Sequence, residues 1–191
     1  MSTIAEEKAA LRAAVRAKLD AMSDRERQTS DDALFRRFLD LPQVKSARTI
    51  FAFWGMHVRE PDTGRLVELL TAAGKRVALP RTMPRRQMEL RQFTTRERMV
   101  SGPYGIREPD ESCPLIPPEE IDLVMIPAVC CDKQGMRLGQ GGGYYDRWLE
   151  AHPCPTVCMC RDAILQDRVP AEVHDLPVDV VLTESRVFPR R

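Results

Sequence analysis

The glycine loop, residues 137–147, carries the residue types best able to do chemistry. It reads Arg-Leu-Gly-Gln-Gly-Gly-Gly-Tyr-Tyr-Asp-Arg, with four glycines in the five positions 139–143. Because glycine has no Cβ atom, an anionic ligand can approach the main-chain N–H groups closely. Guanidinium groups pair with phosphate oxygens, and the carboxylate of Asp146 suits a divalent cation. The loop therefore predicts a site for a polyphosphate and a metal ion; a flexible turn between a strand and a helix is the alternative.

Two common phosphate-binding motifs do not match the glycine loop. The dinucleotide fingerprint G-x-G-x-x-G would need glycine where Tyr144 stands, and it would follow the first strand of the chain. A P-loop needs Gly-Lys followed by Ser or Thr, whereas Gly74-Lys75 is followed by Arg76. An oxidoreductase that uses a nicotinamide cofactor is therefore the least favoured hypothesis.

The glycine loop and five other segments resemble the 5-formyltetrahydrofolate cyclo-ligase family. In the loop, the match is Arg137-Leu138-Gly139-x-Gly141-x-Gly143-Tyr144-Tyr145-Asp146-Arg147. The other segments are, in chain order, Lys8-x-x-Leu11-Arg12, Glu60-Pro61-Asp62-Thr63, Gly105-Ile106-Arg107-Glu108-Pro109, the strand from Ile121 to Pro127, and His174-Asp175 followed by Val178-Asp179. Matches in this order along one chain make the resemblance specific.

This resemblance implies a reaction with ATP as co-substrate and Mg²⁺ as cofactor. 5-Formyltetrahydrofolate would be cyclised to 5,10-methenyltetrahydrofolate, with release of ADP and phosphate. An amide oxygen is a poor leaving group, so the γ-phosphoryl group would first be transferred to the formyl oxygen, and N10 would then attack the formyl carbon. Catalysis of this kind depends on positioning and charge neutralisation. The alternative is a catalytically inactive relative that binds nucleotide or folate as a sensor or carrier.

The resemblance also implies roles for individual residues. The expected catalytic residues are Arg137, Tyr144 and Asp146, and the expected magnesium ligands are Asp146 and Asp175. The expected nucleotide-binding residues are Lys8, Arg12, Arg137, Leu138, Gly139, Gln140, Gly141, Gly142, Gly143, Tyr144 and Tyr145. The expected substrate-binding residues are Gly55, Glu60, Gln140, Gly141, Gly142, Gly143 and Tyr144.

Some of these residues also have simpler interpretations. From the residues alone, Lys8 and Arg12 could form a solvated helix face, Glu60 could be an exposed loop acid and Asp175 a loop cap. Arg147 is either a phosphate clamp or the partner of Glu150.

The chain departs from the family pattern in three places. The first is the segment over 56–59 before Glu60, which makes the substrate preference less secure than the reaction class. Gln140 and Gly142 occupy positions that are often basic or aromatic in relatives, so phosphate affinity is either lower here or supplied elsewhere. Cys160 and Ala163 stand where the family usually has Phe and Gln, which motivates the inactive alternative.

Composition limits the kinds of partner. Lys and Arg number 29 and Asp and Glu 28, a net charge of +1, so no large field of one sign favours nucleic acid or a membrane surface. No apolar run approaches the ~18–20 residues that span a bilayer. We expect a single domain over residues 1–191, a cytoplasmic monomer that acts on small molecules and has no nucleic-acid or membrane partner.

Cys154, Cys158 and Cys160 could suggest a metal site, but residues 157–160 are predicted to be a buried strand with reduced thiols.

The pattern of apolar residues predicts the elements that position these groups. Helices are predicted at 4–22, 24–40, 62–73 and 144–151. Strands are predicted at 49–54, 76–79 (stopped by Pro80), 88–93, 123–126, 157–160 and 178–182, with an irregular connection over 101–120. This alternation predicts an α/β fold with an open, mostly parallel sheet and helices on both faces, a Rossmann-like three-layer arrangement. Ligands of such sheets bind beyond the carboxyl ends of the strands, where most of the motif residues fall.

Overall fold

The structure, a computed structural model, describes residues 2–56, 58–173 and 175–190. His174, which belongs to the carboxy-terminal match, lies outside the described residues. The α-helices are α1 (Ile4–Asp20), α2 (Asp24–Asp40), α3 (Pro42–Ser46), α4 (Thr63–Ala72) and α5 (Tyr144–Ala151). The strands are β1 (Thr49–Phe51), β2 (Arg76–Met83), β3 (Gln87–Gln92), β4 (Met99–Ser101), β5 (Arg107–Pro109), β6 (Leu123–Met125), β7 (Cys130–Cys131), β8 (Arg137–Leu138), β9 (Thr156–Met159), β10 (Val180–Leu182) and β11 (Val187–Pro189).

A seven-stranded sheet in the order β11-β10-β9-β6-β1-β2-β3 forms the centre of the molecule. Its inner strands β10, β9, β6, β1 and β2 are parallel, and the edge strands β11 and β3 are antiparallel to their neighbours. From β1 the sheet grows one way to β2 and β3 and the other way to β6, β9 and β10. The crevice between β1 and β6 is therefore the topological switch point, where open α/β sheets bind ligands.

Helices cover both faces of this sheet. Leu19 of α1 and Trp148 of α5 belong to the apolar cluster on one face. Phe38 of α2 and Leu66 of α4 belong to the cluster on the other face. The predicted three-layer α/β architecture is confirmed. None of the described helices combines the length and the apolar character needed to cross a membrane.

Local signals explain where the helices begin and end. Ser23 accepts a hydrogen bond from the backbone N–H of Glu26, and the Glu26 side chain in turn accepts one from the backbone N–H of Ser23, which makes the predicted capping box at the start of α2. Gly74 adopts a φ of +79° directly after α4, a conformation that costs glycine little. The predicted helix over 144–151 matches α5 in both boundaries.

The prediction that Pro80 stops its strand is wrong. β2 continues to Met83 and pairs Pro80 with Leu90 of β3. The carbonyl of Val77 points to β3, where it accepts from the Phe93 N–H, while the carbonyl of Ala78 points to the β1 side and accepts from the Ala52 N–H. By this alternation the nitrogen of Pro80 faces the β1 side, beyond the last strand residue of β1. Proline therefore removes no hydrogen bond from the ladder.

Two hairpins were also not predicted. The connection over 101–120 contains β5, which pairs with β4 as the two-stranded sheet at 99–109, and Gly105 takes a φ of +73° in the turn between them. The second hairpin joins β7 to β8 and leads into the glycine loop. Strands of two or three residues carry too little periodicity to be recognised in the sequence.

The six cysteines are free thiols, and several of them lie together in the core. The predicted buried strand is present as β9, with Cys158 fully buried and Cys160 directly after it. The sulfur atoms of Cys131 and Cys158 are 3.1 Å apart. Burial raises the pKa of Cys130 to about 12, which makes it a weak nucleophile.

Candidate functional site

The candidate site lies beyond the carboxyl ends of the parallel strands. Residues 52–62 follow β1, residues 126–143 follow β6, and residues 160–177 follow β9. β1 pairs with β6, and β6 pairs with β9, so these three connections are neighbours along one edge of the sheet. The site is therefore built at the switch point, with α1 contributing residues from one side.

The glycine loop is held at its base by the β7–β8 hairpin and ends in α5. The amide of Val129 donates to the carbonyl of Leu138 at 2.7 Å. Gly141 and Gly143 have φ values of +97° and +64°, which L-residues adopt only with strain. Gly143 is the N-cap of α5 and provides no side-chain cap. The N–H groups of the first turn of α5 are therefore open to a ligand at the positive end of the helix dipole.

The cations of α1 face the glycine loop. Lys8, Arg12 and Arg16 are spaced four residues apart, which places them on one side of the helix. Arg12 Nε donates to the carbonyl of Gly139 at 2.9 Å, and Arg16 Nη2 donates to Oε1 of Gln140 at 2.9 Å. The interpretation of Lys8 and Arg12 as a solvated helix face is therefore wrong. Arg16 was not predicted to belong to the site, although it follows Arg12 at the same four-residue spacing that separates Lys8 from Arg12.

Lys8 reaches past the loop to the segment after β9. Its Nζ atom lies 2.6 Å from Oδ2 of Asp175 and 2.7 Å from Oε2 of Glu172. Burial acts to lower the pKa of Lys8, but its hydrogen bonds to Asp175 and Glu172 and their negative charges outweigh that effect and raise it. Lys8 therefore stays charged and fixes Asp175 in place.

Arg137 joins the glycine loop to the same segment. Its Nη2 atom lies 2.6 Å from Oδ1 of Asp146, and its Nη1 atom donates to the carbonyl of Leu176 at 2.6 Å. The guanidinium thus connects the first turn of α5 with the residue that follows Asp175. Asp146 and Asp175, the two carboxylates predicted to hold magnesium, are thus each paired with a cation, Asp146 with Arg137 and Asp175 with Lys8.

These carboxylates fit a magnesium ion as a partial ligand set. Mg²⁺ typically takes one or two protein carboxylates and fills its remaining positions with water and phosphate oxygens. Within the described residues there is no group of three or more His, Cys, Asp or Glu side chains that could hold a metal alone. A metal at Asp146 and Asp175 would therefore depend on oxygen atoms from a bound nucleotide.

Glu60 is held in a tight loop directly after β1. Its Oε2 atom accepts a hydrogen bond from the amide of Met56 at 2.7 Å. Burial raises the pKa of Glu60, and the bond from Met56 opposes this only in part. Glu60 is half-buried, so the interpretation as an exposed loop acid is wrong. Gly55 permits this loop, because a Cβ atom there would lie 2.5 Å from the carbonyl oxygen of Pro61.

Tyr145 is a residue of α5 near both Glu60 and Arg137. Its ring stacks on Phe51 with centroids 5.3 Å apart and an interplanar angle of 17°. Its hydroxyl is buried and has no hydrogen-bond partner among the described residues. Burial raises the pKa of Tyr145, the charge of Glu60 raises it further, and Arg137 lowers it. The hydroxyl is thus close enough to respond to the charges of both Glu60 and Arg137.

Of the remaining side chains of the glycine loop, Arg147 is exposed at the surface and Leu138 is buried in the core. Arg147 donates to the carbonyl of Gly142 at 2.6 Å and lies 5.9 Å from the ring centroid of Tyr144. Its contacts within the described residues are therefore with the loop and not with Glu150. Leu138 is 1% exposed, so only its main chain could contact a nucleotide.

A buried ion pair between Arg161 and Asp31, which was not predicted from the sequence, supports the segment that follows β9. Nη2 of Arg161 lies 2.7 Å from Oδ1 of Asp31, and both side chains are almost fully buried. The N–H is not aligned with that oxygen as a hydrogen bond, so we attribute the contact to charge attraction. The other oxygen of Asp31 accepts from the amide of Asp62, the N-cap of α4. Asp31 thereby ties α2 to the segments after β1 and β9.

Comparisons with known proteins agree with this arrangement. Residues 4–184 match the model of the 5-formyltetrahydrofolate cyclo-ligase family. The 5-formyltetrahydrofolate cyclo-ligase of Escherichia coli strain K12 is 31% identical over 180 residues, which cover 91% of this chain and 98% of that protein. The enzyme of the same name from Mycolicibacterium smegmatis is 34% identical over 154 residues, covering 74% and 76%. The structure of Aquifex aeolicus 5,10-methenyltetrahydrofolate synthetase superposes with a TM-score of 0.85 at 28% identity, covering 96% and 93%.

Proposed function

The chain belongs to the 5-formyltetrahydrofolate cyclo-ligase family, and we propose that the site at the glycine loop carries out the reaction of that family. The enzyme cyclises 5-formyltetrahydrofolate to 5,10-methenyltetrahydrofolate and uses ATP as co-substrate, with release of ADP and phosphate. One observation above all supports placing the reaction here. The N-terminus of α5 has no side-chain cap, Arg12 contacts the loop that leads into it, and Arg137 pairs with Asp146 in its first turn.

We assign the triphosphate of ATP to the glycine loop. The first-turn N–H groups of α5 can donate to phosphate oxygens, and residues 139–143 leave room for a close approach. Lys8, Arg12 and Arg137 would supply positive charge from both sides of the loop. Tyr145, whose ring is fixed by Phe51, would hold the loop against β1.

We assign the magnesium ion to Asp146 and Asp175. When bound there, the ion would neutralise phosphate charge and so favour transfer of the γ-phosphoryl group. Arg137 and Lys8 pair with these two carboxylates in the structure. The two cations keep the carboxylates in place and limit their mutual repulsion.

We assign the folate to the space between the Glu60 loop and the glycine loop. A half-buried carboxylate with a raised pKa has lost water and gains most from new N–H donors. The N–H groups of a pterin ring are such donors, so Glu60 would orient the ring. Gly55 would shape the neighbouring backbone, and residues 140–144 would lie on the side of the reacting formyl group.

The chemical steps then need positioning more than a covalent intermediate on the enzyme. The formyl oxygen attacks the γ-phosphorus atom and ADP departs. N10 attacks the formyl carbon and loses its proton, and the C–O bond to phosphate breaks to give the methenyl ring. Arg137, at the start of the glycine loop, and Tyr144, at the start of α5, would keep the two substrates in line.

The test is to follow the near-ultraviolet absorbance of the methenyl product in mildly acidic buffer. We expect an increase that requires ATP, Mg²⁺ and 5-formyltetrahydrofolate together. Calorimetric titration with each substrate should accompany it. Binding of both substrates without product would instead indicate the inactive sensor or carrier, and ATP hydrolysis at full rate without folate would contradict the assignment of the reaction.

A further inference from the structure

We propose that Arg16 is a further nucleotide-phosphate ligand, which Gln140 holds in position. This inference rests on the proposed function, because it concerns the same bound ATP. The glycine loop has no basic side chain between Leu138 and Arg147. Arg147 reaches back only to Gly142, so the positive charge beside residues 139 and 140 comes from another element, α1, which contacts both.

The guanidinium of Arg16 has a hydrogen-bond donor without an acceptor among the described residues. Its Nη2 atom donates to Oε1 of Gln140 at 2.9 Å. Its Nε atom is buried and has no hydrogen-bond partner within residues 2–56, 58–173 and 175–190. Guanidinium N–H groups in such a position are normally satisfied, because an unpaired buried donor lowers stability. A ligand with acceptor oxygens beside Gln140 would satisfy it.

The balance of charge indicates that this ligand is an anion. Lys8 is paired with Asp175 and Glu172, and Arg137 is paired with Asp146. By contrast, neither Arg12 nor Arg16 forms an ion pair in the part of the chain that the structure describes. These two guanidinium groups therefore leave uncompensated positive charge directly beside residues 139 and 140.

The spacing along α1 is suited to an extended phosphate chain. At a rise of 1.5 Å per residue, Arg16 lies about 6 Å from Arg12 and about 12 Å from Lys8 along the helix axis. Lys8 pairs with Asp175, one of the two proposed magnesium ligands, so Arg16 lies at the other end of this row of cations. Gln140 would act as a positioning residue for Arg16, because its Oε1 atom accepts a hydrogen bond from that guanidinium.

Steady-state kinetics of Arg16→Gln test the inference, with Lys18→Gln as the matched control. Lys18 is an exposed cation two residues further along α1. We expect Arg16→Gln to raise the KM for ATP about tenfold, the loss typical of one charged hydrogen bond, with little change in the KM for 5-formyltetrahydrofolate. Lys18→Gln should leave both KM values unchanged.

A second variant separates a ligand contact from a structural role. In the double variant Arg16→Gln/Gln140→Arg the loop itself carries a cation, and we expect the KM for ATP to recover most of the loss. Equal KM values for ATP in Arg16→Gln and Lys18→Gln would overturn the inference. So would a parallel rise of both KM values together with a lowered melting temperature. If the unaltered protein forms no product at all, the proposed function fails instead.

Discussion

The guanidinium of Arg137 and the carboxylate of Asp146 are in contact, with 2.6 Å between Nη2 and Oδ1, while the side chain of Arg137 is only 6% exposed. This pair joins the first residue of the glycine loop to the first turn of α5. Because the Arg137 side of the pair is shielded from water, salt screens it less than a fully exposed ion pair. Asp146 is therefore fixed in direction before any ligand arrives.

Asp146→Asn should remove most of the activity. If Asp146 holds the metal, the loss of its charge weakens Mg²⁺ binding, and we expect kcat/KM to fall by at least about 100-fold. The measurement is the rate of methenyl product formation across a range of Mg²⁺ concentrations. Glu150→Gln, on the exposed side of the same helix, is the control and should keep near-normal activity. Normal activity of Asp146→Asn at low Mg²⁺ would show that the metal lies elsewhere.

Gly141→Ala and Gly139→Ala should differ in stability. A Cβ atom at Gly141 is forced into a φ of +97°, at a cost of about 1–2 kcal/mol, whereas Gly139 has a negative or extended φ and open space around its Cβ position. We expect urea unfolding to show that loss for Gly141→Ala only. Equal stabilities would mean that the loop relaxes to another conformation.

Glu60→Gln should increase stability at neutral pH while it impairs substrate binding. The pKa of Glu60 is raised by burial above its ordinary 4.5, so folding favours the protonated form. The stabilising contribution of that form is complete at pH values below 4.5 and is lost as pH rises through the folded-state pKa. Glutamine resembles the protonated acid, so the variant should keep this contribution at neutral pH.

Urea unfolding at pH well below 4.5 and at neutral pH checks this for Glu60→Gln. The two proteins should have similar stability at the lower pH, and the variant should be more stable at the higher one. The KM for 5-formyltetrahydrofolate should rise in the variant. Glu119→Gln, which removes an exposed charge, serves as the control. A variant less stable at neutral pH would contradict the burial argument.

Asp31→Ala should destabilise the fold much more than Asp32→Ala. Removing Asp31 leaves the charge of Arg161 buried without a partner, at a cost of about 3–5 kcal/mol. Asp32 pairs with Arg65 in a partly exposed ion pair, so its removal should cost about 1 kcal/mol or less. Equilibrium unfolding of the two neighbouring variants measures the difference. Similar losses would show that Arg161 finds other compensation.

The sequence predicted the parts of the fold that depend on local patterns. The helix at 144–151, the capping box at Ser23 and the buried strand near Cys158 all follow from residues close together in the chain. The site could be located because the motif residues follow strand ends, and parallel strands bring such ends to one edge.

Contacts between distant elements could not be read from the sequence. The pair Arg161–Asp31 joins residues 130 positions apart, and neither residue stands out locally. β2 can contain Pro80 because β1 does not extend alongside that residue. This depends on how the strands are arranged in the sheet and not on the local sequence. The role proposed for Arg16 likewise depends on where Gln140 lies in three dimensions.

Lys8 and Asp175, which contact one another, are separated by 167 positions in the chain. During synthesis on the ribosome, Lys8 emerges early and must wait for its partner until the segment after β9 has left the exit tunnel. The glycine loop emerges before Asp175 as well. A chain that has not yet reached Asp175 could therefore form much of the sheet but could not complete the proposed nucleotide site, so consumption of ATP would begin only after that residue has emerged.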